Sequence, residues 1–327
     1  MALIDSCGRT INYLRLSVTD RCNLRCSYCM PAGGCPPCHD APLADEDLYR
    51  ISRAAVASGV EKIRITGGEP LLREGIIDFL ADLARIPGLR RLVLTTNGLL
   101  LTEMADKLRE AGVSSLNISL DSLRPDTFAR ITRGGNLERV MAGLDAAGRA
   151  GFSHIRINVV VMRGVNDDEA AAFAALTLDR PYRVRFIERM PTGNGDDWRS
   201  TTVPGVELLN RLNGRYRLQP VEREPLSGPA VYYRIPGAAG QIGFITPVSC
   251  HFCGDCNRIR VSCAGIARGC LFDEGGTDLK PLLQHDDDAH LQEALRRTAS
   301  DKPERHRLGD RGAVAAREPF KMSQIGG

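Results

Sequence analysis

Short β-branched runs alternate with longer segments of helical periodicity from about residue 11 to residue 190. Runs rich in valine, isoleucine and threonine predict strands, whereas apolar residues that recur every three or four positions predict helices. The predicted strands are 13–18, 62–66, 91–95, 115–120, 155–161 and 184–187. The predicted helices are 45–57, 74–85, 103–111, 137–150 and 167–176, and the predicted N-caps include Thr102 and Asn136.

This alternation is typical of βαβ units, which build parallel sheets. About six units predict an α/β fold of the partial (β/α)6 barrel type rather than a closed eightfold barrel. A doubly wound open sheet is the structural alternative.

The chain changes character after residue 190. Residues 191–230 are rich in glycine, proline and charge, and short strands are predicted at 231–235, 242–245 and 259–262. We therefore expect a barrel over residues 1–225 and a smaller C-terminal domain over residues 226–327. The highly charged residues 296–318 are expected to be exposed.

The eleven cysteines fall into two groups, six between Cys7 and Cys38 and five between Cys250 and Cys270. The N-terminal residues contain no signal-like apolar segment, and no run is long enough to span a membrane. We therefore expect a cytoplasmic protein whose cysteines serve as metal ligands or reactive thiols rather than disulfides. The net charge of +3 is too small to indicate a nucleic acid or a membrane as partner.

The first cysteine group contains Cys22-x3-Cys26-x2-Cys29, directly after the first predicted strand. Three thiolates suit a [4Fe–4S] cluster that leaves one iron open, because soft sulfur ligands favour iron–sulfur or zinc over hard cations. A structural zinc site with a distant fourth ligand is the alternative. Structural zinc more often uses paired C-x2-C motifs.

A glycine turn follows the second predicted strand in the segment Ile63-Arg64-Ile65-Thr66-Gly67-Gly68-Glu69-Pro70. Gly67 and Gly68 carry no Cβ, so the backbone can approach a ligand closely, and together with Glu69 it can hold a zwitterionic amino acid. An ordinary βα turn is the alternative. Thr95, Asn97 and Ser119 end the next two strands, and these loops all face the rim where barrel active sites lie.

The second cysteine group contains Cys253-x2-Cys256-x13-Cys270, with Cys250 and Cys263 as nearby spare thiols. A further iron–sulfur cluster and a closed zinc ribbon are both compatible with this spacing.

Basic residues lie on several predicted strands. Arg258 and Arg260 are two residues apart on one strand, so their side chains point to the same face. Arg156 and Arg185 lie within apolar runs that are expected to be buried, which is costly for an unpaired charge. A cationic barrel interior that binds a polyphosphate explains this pattern, whereas solvated faces are the alternative. The same interior would include Arg15 and Lys62.

Cx3Cx2C, with Tyr28 before its last cysteine, resembles the signature of radical S-adenosylmethionine enzymes. GGEP one βα unit later resembles their methionine-binding turn. The whole chain from about Gly8 resembles the GTP 3′,8-cyclase family, radical enzymes of molybdenum cofactor biosynthesis. The motifs that carry this resemblance are LRLSVTDRCNLRCSYCM, KIRITGGEPLLR, LTTNGLLL, LNISLDSL, INVVVMRGVND, VRFIERM, CGDCNRIR and the terminal diglycine.

The resemblance implies two [4Fe–4S] clusters, bound by Cys22, Cys26 and Cys29 and by Cys253, Cys256 and Cys270. It implies that S-adenosylmethionine is bound by Tyr28, Gly68, Glu69, Thr95, Ser119 and Met190. It implies that GTP is surrounded by Arg15, Lys62, Arg64, Arg156, Arg185, Arg258 and Arg260. It also implies catalytic roles for Arg15, Gly326 and Gly327.

The implied reaction begins when a 5′-deoxyadenosyl radical abstracts the ribose 3′ hydrogen of GTP. The C3′ radical attacks guanine C8, and reduction gives 3′,8-cyclo-7,8-dihydro-GTP. The implied partners are an external electron donor, the next enzyme of the pathway and, as a possibility, a second copy of the chain. Cys35 and Cys38 have no assigned role. The alternatives are a radical enzyme that modifies a peptide and a non-catalytic iron–sulfur or zinc protein.

Overall fold

A computed structural model describes residues 2–31, 33, 41–191, 198–273 and 275–306. Cys35, Cys38, Gly326 and Gly327 lie outside the described residues. Within the described part of the chain, no helix is both long and apolar enough to cross a membrane.

Six parallel strands follow one another along the sheet in chain order. They are β1 (Tyr13–Ser17), β2 (Lys62–Thr66), β3 (Arg91–Thr96), β4 (Ser115–Ser119), β5 (Ile155–Val161) and β6 (Arg183–Glu188). The connecting helices are α1 (Asp45–Ala57), α2 (Ile76–Ala84), α3 (Leu101–Glu110), α4 (Pro125–Thr132), α5 (Leu137–Arg149) and α6 (Ala170–Asp179). A doubly wound sheet reverses its strand order at a switch point. This order has no reversal, so the predicted partial barrel is confirmed and the doubly wound alternative is wrong.

The C-terminal part of the chain extends the same sheet at both ends. Its helices and strands are α7 (Trp198–Thr201), α8 (Gly205–Tyr216), β7 (Gln219–Val221), β8 (Val231–Arg234), β9 (Gln241–Ile245), β10 (Arg258–Val261), β11 (Ile266–Arg268), β12 (Thr277–Asp278) and α9 (Ala289–Ser300). Strand β9 pairs in parallel with β6, and β10 pairs in parallel with β1. Antiparallel strands then complete both ends of the sheet. The predicted domain boundary at residues 225 and 226 stays a prediction.

The two predicted helix caps have different outcomes. Asn136 caps α5, because its side chain accepts a hydrogen bond from the Arg139 amide at 2.9 Å. The prediction for Thr102 is wrong, since α3 already begins at Leu101 and places Thr102 in the first turn. Leu101 is fully buried, so core packing determines the start of this helix more strongly than the capping preference of a threonine does.

Helix α9 docks onto α1 through charged side chains. Arg53 of α1 lies 2.6 Å from the Asp288 carboxylate, and Arg50 also contacts that carboxylate. The predicted exposure of residues 296–318 is wrong for Thr298, Ala299 and Lys302, which are buried, whereas most of the other residues up to 305 are exposed. Residues 307–318 lie outside the described residues. The docked helix brings Lys302 to the start of β10, where its side chain lines the candidate site.

Candidate active site

One cavity brings together both predicted cysteine triads, Cys22, Cys26 and Cys29 with Cys253, Cys256 and Cys270. Other predicted site residues that line it are Arg15, Tyr28, Arg64, Gly68, Thr95, Ser119, Arg185, Met190, Arg258 and Arg260. The first triad follows β1, at the carboxyl ends of the parallel strands, where barrel active sites lie. Cys253 and Cys256 precede β10, which pairs in parallel with β1, so the second triad lies toward the amino-terminal ends. The cavity therefore extends between the two ends of the strands, and residues more than 200 positions apart in the sequence face one another across it.

The loop that carries the first triad is held by its neighbours through backbone hydrogen bonds. The Ser27 amide donates to the Ile131 carbonyl of α4 at 2.8 Å. On the other side, the Gly68 amide donates to the Thr19 carbonyl at 2.8 Å. A Cβ at Gly68 would lie 2.2 Å from the Arg21 carbonyl oxygen, so only glycine fits there. The glycine turn therefore supports the start of the cysteine loop as well as lining the cavity.

The thiols of the first triad lie in an environment that disfavours their ionised form. Burial, and then the negative charges of Asp121, Cys29 and Cys22, hold the pKa of Cys26 well above its usual value. Burial also raises the pKa of Cys22. A bound metal cation reverses this balance, because it favours the thiolate. Three thiols that repel one another when ionised therefore suit a cationic metal group.

The described cysteines take part in no disulfide. All nine of them are free, so the thiols of both triads are available as ligands. Among the described residues, no group of three or more His, Cys, Asp or Glu side chains is arranged to hold a metal ion.

Glu69 does not line the cavity, although the sequence predicts that it contacts S-adenosylmethionine. Its buried carboxylate accepts hydrogen bonds from the Thr96 hydroxyl at 2.8 Å and from the Asn97 amide at 2.7 Å. Burial raises its pKa to about 7 despite these hydrogen bonds. Glu69 therefore fixes the end of β3 to the glycine turn. The predicted contact between Glu69 and S-adenosylmethionine stays a prediction.

Asp121 lines the cavity, but the sequence does not single it out. Its carboxylate accepts hydrogen bonds from the Tyr28 hydroxyl and from the Val160 amide, both at 2.8 Å. Burial raises the pKa of Asp121 to about 6. Asp121 thus connects the cysteine loop to β5. Its place two residues beyond Ser119, just after β4, is the signal from which it could have been found.

The structure distinguishes among the five cysteines of the second group. Cys250 is exposed and Cys263 is fully buried, and neither lines the cavity. Burial raises the pKa of Cys256, but the Arg258 guanidinium and the Lys302 ammonium outweigh it and lower this pKa to about 6. The predicted triad of Cys253, Cys256 and Cys270 is therefore the set that faces the cavity. The positive charges beside Cys256 favour the thiolate form of this residue.

Three arginines stand side by side on adjacent strands. Arg15 of β1 is in register with Arg260 of β10 and with Arg64 of β2, and all three are buried. Burial lowers the pKa of Arg260 to about 10, with a further contribution from Arg258. Burial likewise lowers the pKa of Arg185 to about 10. The buried guanidinium groups thus form a wall of the cavity in which any additional positive charge is unfavourable.

The excess of positive charge indicates an anionic ligand. Among the described lining residues, six Arg and Lys side chains accompany a single carboxylate, that of Asp121. The Nε atoms of Arg64 and Arg185 are buried without a hydrogen-bond partner in the described chain. A buried donor without a partner is costly, and an anionic ligand would remove that cost.

Lys62 and Arg156 lie away from the cavity lining, at the amino-terminal ends of β2 and β5. The Lys62 ammonium donates to the Leu226 carbonyl at 2.8 Å, and burial lowers its pKa to about 5, assisted by nearby arginines. Arg156 donates to the Ser115 hydroxyl at 2.9 Å. The predicted GTP contacts of these two residues stay predictions, because the start of β2 lies level with the start of β10, where Arg258 lines the cavity.

The comparisons with known proteins agree on one relationship. The family model described as Radical SAM superfamily matches residues 16–177, and the one described as Molybdenum Cofactor Synthesis C matches residues 182–308. The chain is 61% identical over 328 residues to a GTP 3′,8-cyclase of Geobacter sulfurreducens, with 100% of both chains covered. It is 43% identical over 325 residues to that of Moorella thermoacetica, with 99% of each chain covered.

Among solved structures, Streptococcus suis SuiB bound to S-adenosylmethionine superposes with a TM-score of 0.61 at 14% identity. The match covers 91% of this chain and 66% of that chain. At this identity the likeness shows the fold alone.

Proposed function

The chain belongs to the GTP 3′,8-cyclase family of radical S-adenosylmethionine enzymes, and from this premise we propose how its residues bind and convert GTP. It is a lyase of molybdenum cofactor biosynthesis that uses S-adenosylmethionine and [4Fe–4S] clusters. One observation carries the assignment of residues: two cysteine triads and a wall of arginines line the same cavity.

The residues that line the cavity suit the cofactors. Cys22, Cys26 and Cys29 would hold the first cluster, and Cys253, Cys256 and Cys270 would hold the second. When bound, the first cluster and S-adenosylmethionine supply a 5′-deoxyadenosyl radical that removes the 3′ hydrogen of GTP, after which C3′ bonds to guanine C8 and reduction gives 3′,8-cyclo-7,8-dihydro-GTP. The residues proposed to surround S-adenosylmethionine are Tyr28, Gly68, Glu69, Thr95, Ser119 and Met190, and all of these except Glu69 line the cavity.

The chain's own contribution is to orient the nucleotide and to hold its charge. Arg15, Arg64 and Arg260 form one row and Arg185 lies on β6, so a triphosphate in the cavity can accept hydrogen bonds from several guanidinium groups. Lys62, two residues before Arg64 on β2, and Arg156 of β5 are proposed as further GTP contacts from the family resemblance. By holding the triphosphate, these side chains also fix the position of the ribose. The distance between the reacting atoms is thereby set, and the rate depends strongly on that distance.

Several finer assignments are proposals from the family resemblance. They comprise the catalytic roles of Gly326 and Gly327, an external electron donor, transfer of the product to the next enzyme, a possible homodimer and a cytoplasmic location.

Cysteine substitutions in each triad test the division of labour. We expect Cys26→Ser to abolish cleavage of S-adenosylmethionine, because the first cluster then lacks a thiolate. We expect Cys256→Ser mainly to weaken GTP binding, as measured by anaerobic calorimetry. Cys250→Ser is the matched control, since this thiol lies outside the cavity. Normal GTP affinity in Cys256→Ser would contradict the assignment of the second triad to the substrate.

A further inference from the structure

Lys302 connects two segments that carry cysteines of the second triad. Its ammonium donates to the Arg258 carbonyl at 3.1 Å and to the Gly269 carbonyl at 2.5 Å. Arg258 lies two residues after Cys256, and Gly269 directly precedes Cys270. The Lys302 residue is 4% exposed and lines the cavity. One buried side chain therefore holds these two cysteine segments at a fixed separation.

Gly269 packs closely against the backbone of Lys302. A Cβ at this position would lie 3.0 Å from the Lys302 Cα and 3.0 Å from the Thr298 carbonyl oxygen. Any side chain here would therefore push the end of α9 away from the strand before Cys270. The close approach is an observation independent of the two hydrogen bonds, and it indicates that the position of Lys302 is determined by packing.

Arg9 anchors the third cysteine segment. Its guanidinium donates to the Cys253 carbonyl at 2.7 Å and to the Pro303 carbonyl at 2.8 Å. Its own position is fixed by a buried ion pair with Asp5. Arg9 thus connects Cys253 to the residue that follows Lys302. Through two cations, all three cysteine segments are tied to residues 302 and 303.

We propose that Lys302 and Arg9 are positioning residues for the second cluster and that the Lys302 charge raises the cluster's reduction potential. This inference rests on the proposed function, because it takes the second triad as a cluster site. A cluster gains negative charge on reduction, so a buried cation beside its ligands stabilises the reduced state. The hydrogen bonds of both residues keep the three cysteines at the spacing that the cluster requires.

The test isolates the second cluster. In full-length protein with Cys22, Cys26 and Cys29 replaced by alanine, the remaining cluster is titrated anaerobically and followed by electron paramagnetic resonance. We expect Lys302→Met to lower the midpoint potential and Lys302→Arg to retain it, since arginine keeps the charge. Lys107→Met, at an exposed position on α3, is the control for loss of a lysine. An unchanged midpoint potential in a folded Lys302→Met variant would overturn the electrostatic role.

A second variant tests the positioning role without altering Lys302. Asp5→Asn with Arg9→Met removes both members of the ion pair, so no unpaired carboxylate is left in the core. We expect a chelator to extract iron from the second cluster about tenfold faster, the equivalent of one lost charge-assisted hydrogen bond. Extraction at the parent rate would overturn the positioning role. A parent protein without any second cluster would instead contradict the proposed function itself.

Discussion

At the scale of single residues, two buried carboxylates determine the shape of the rim. Glu69 holds the end of β3, and Asp121 holds Tyr28 and β5. Both are buried in a low-dielectric environment that raises their pKa values, to about 7 and about 6 respectively. Each carboxylate therefore makes the stability of the site depend on pH, because it ionises at a higher pH in the folded chain than in the unfolded chain.

Glu69 gives a pH prediction with a definite sign. Its folded pKa of about 7 lies above the reference value of 4.5, so its contribution to stability is complete below about pH 4.5 and is lost as the pH rises through 7. This loss amounts to about 3 kcal/mol. Glu69→Gln cannot ionise, so we expect its stability difference from the wild type to change between pH 5 and about pH 7.5.

Chemical unfolding of the cluster-free chain under reducing conditions measures this difference. Glu103→Gln is the control, because Glu103 is 67% exposed in its pair with Arg139. A difference between Glu69→Gln and the wild type that stays constant with pH would contradict the proposed buried environment of this carboxylate.

Arg64 provides a second prediction at this scale. Its Nε atom has no partner in the described chain, and it stands in register with Arg15. We expect Arg64→Met to weaken GTP binding by about 2 kcal/mol, or roughly 30-fold, because a charge-assisted hydrogen bond is lost. Calorimetry measures the affinity, with Arg90→Met on the exposed surface as the control. Equal affinities would place the nucleotide elsewhere.

At the scale of secondary structure elements, the turn after β2 and the loop after β1 are packed as one unit. The amides of Gly68 and Glu69 donate to the carbonyls of Thr19 and Arg21, at 2.8 and 2.7 Å. The two signatures that stand far apart in the sequence are therefore in direct contact. A change in the glycine turn must alter the cysteine loop.

Gly68→Ala tests this coupling. The added methyl would lie 2.2 Å from the Arg21 carbonyl oxygen, so we expect the loop to shift and the first cluster to be lost. Iron content and the melting temperature measure the effect. In contrast, Gly148→Ala within α5 meets no atom within 4 Å and should raise stability by about 1 kcal/mol. Full iron content in Gly68→Ala would contradict the packing described for this turn.

The sequence predicts these elements well where their patterns are long and periodic. Strand β2, strand β5 and helix α1 have the predicted bounds. Helices α4, α8 and α9 are missed because loops, glycine and charge dominate their surroundings. Cysteine spacing predicts the two triads that line the cavity, whereas the placement of Glu69 depends on tertiary hydrogen bonds that spacing does not encode.

At the scale of the whole molecule, the C-terminal segment completes the barrel sheet. Strand β9 covers the free edge of β6, and β10 covers the free edge of β1. Period-two patterns predict strands but do not identify the sheet edge that a strand joins. The pairing of β9 with β6 and of β10 with β1 therefore could not be predicted from the sequence. It brings Cys256 and Arg260 opposite the first triad, and the candidate site therefore depends on both parts of the chain.

This pairing predicts that residues 1–225 alone will not fold into a stable monomer. Without β9 and β10, strands β6 and β1 expose unpaired backbone groups that promote aggregation. We expect the fragment to elute as aggregates in size-exclusion chromatography, with the full chain as the control. A monodisperse fragment with a cooperative melting transition would show that the predicted boundary separates independent domains.

The most direct measurement of the central claim uses GTP that carries deuterium at the ribose 3′ position. The full-length enzyme with both clusters is incubated anaerobically with S-adenosylmethionine and dithionite, and the products are analysed by mass spectrometry. We expect deuterium to appear in 5′-deoxyadenosine and a cyclised nucleotide to form without it. Cleavage of S-adenosylmethionine that leaves the label on GTP, with no cyclised product, would contradict the account.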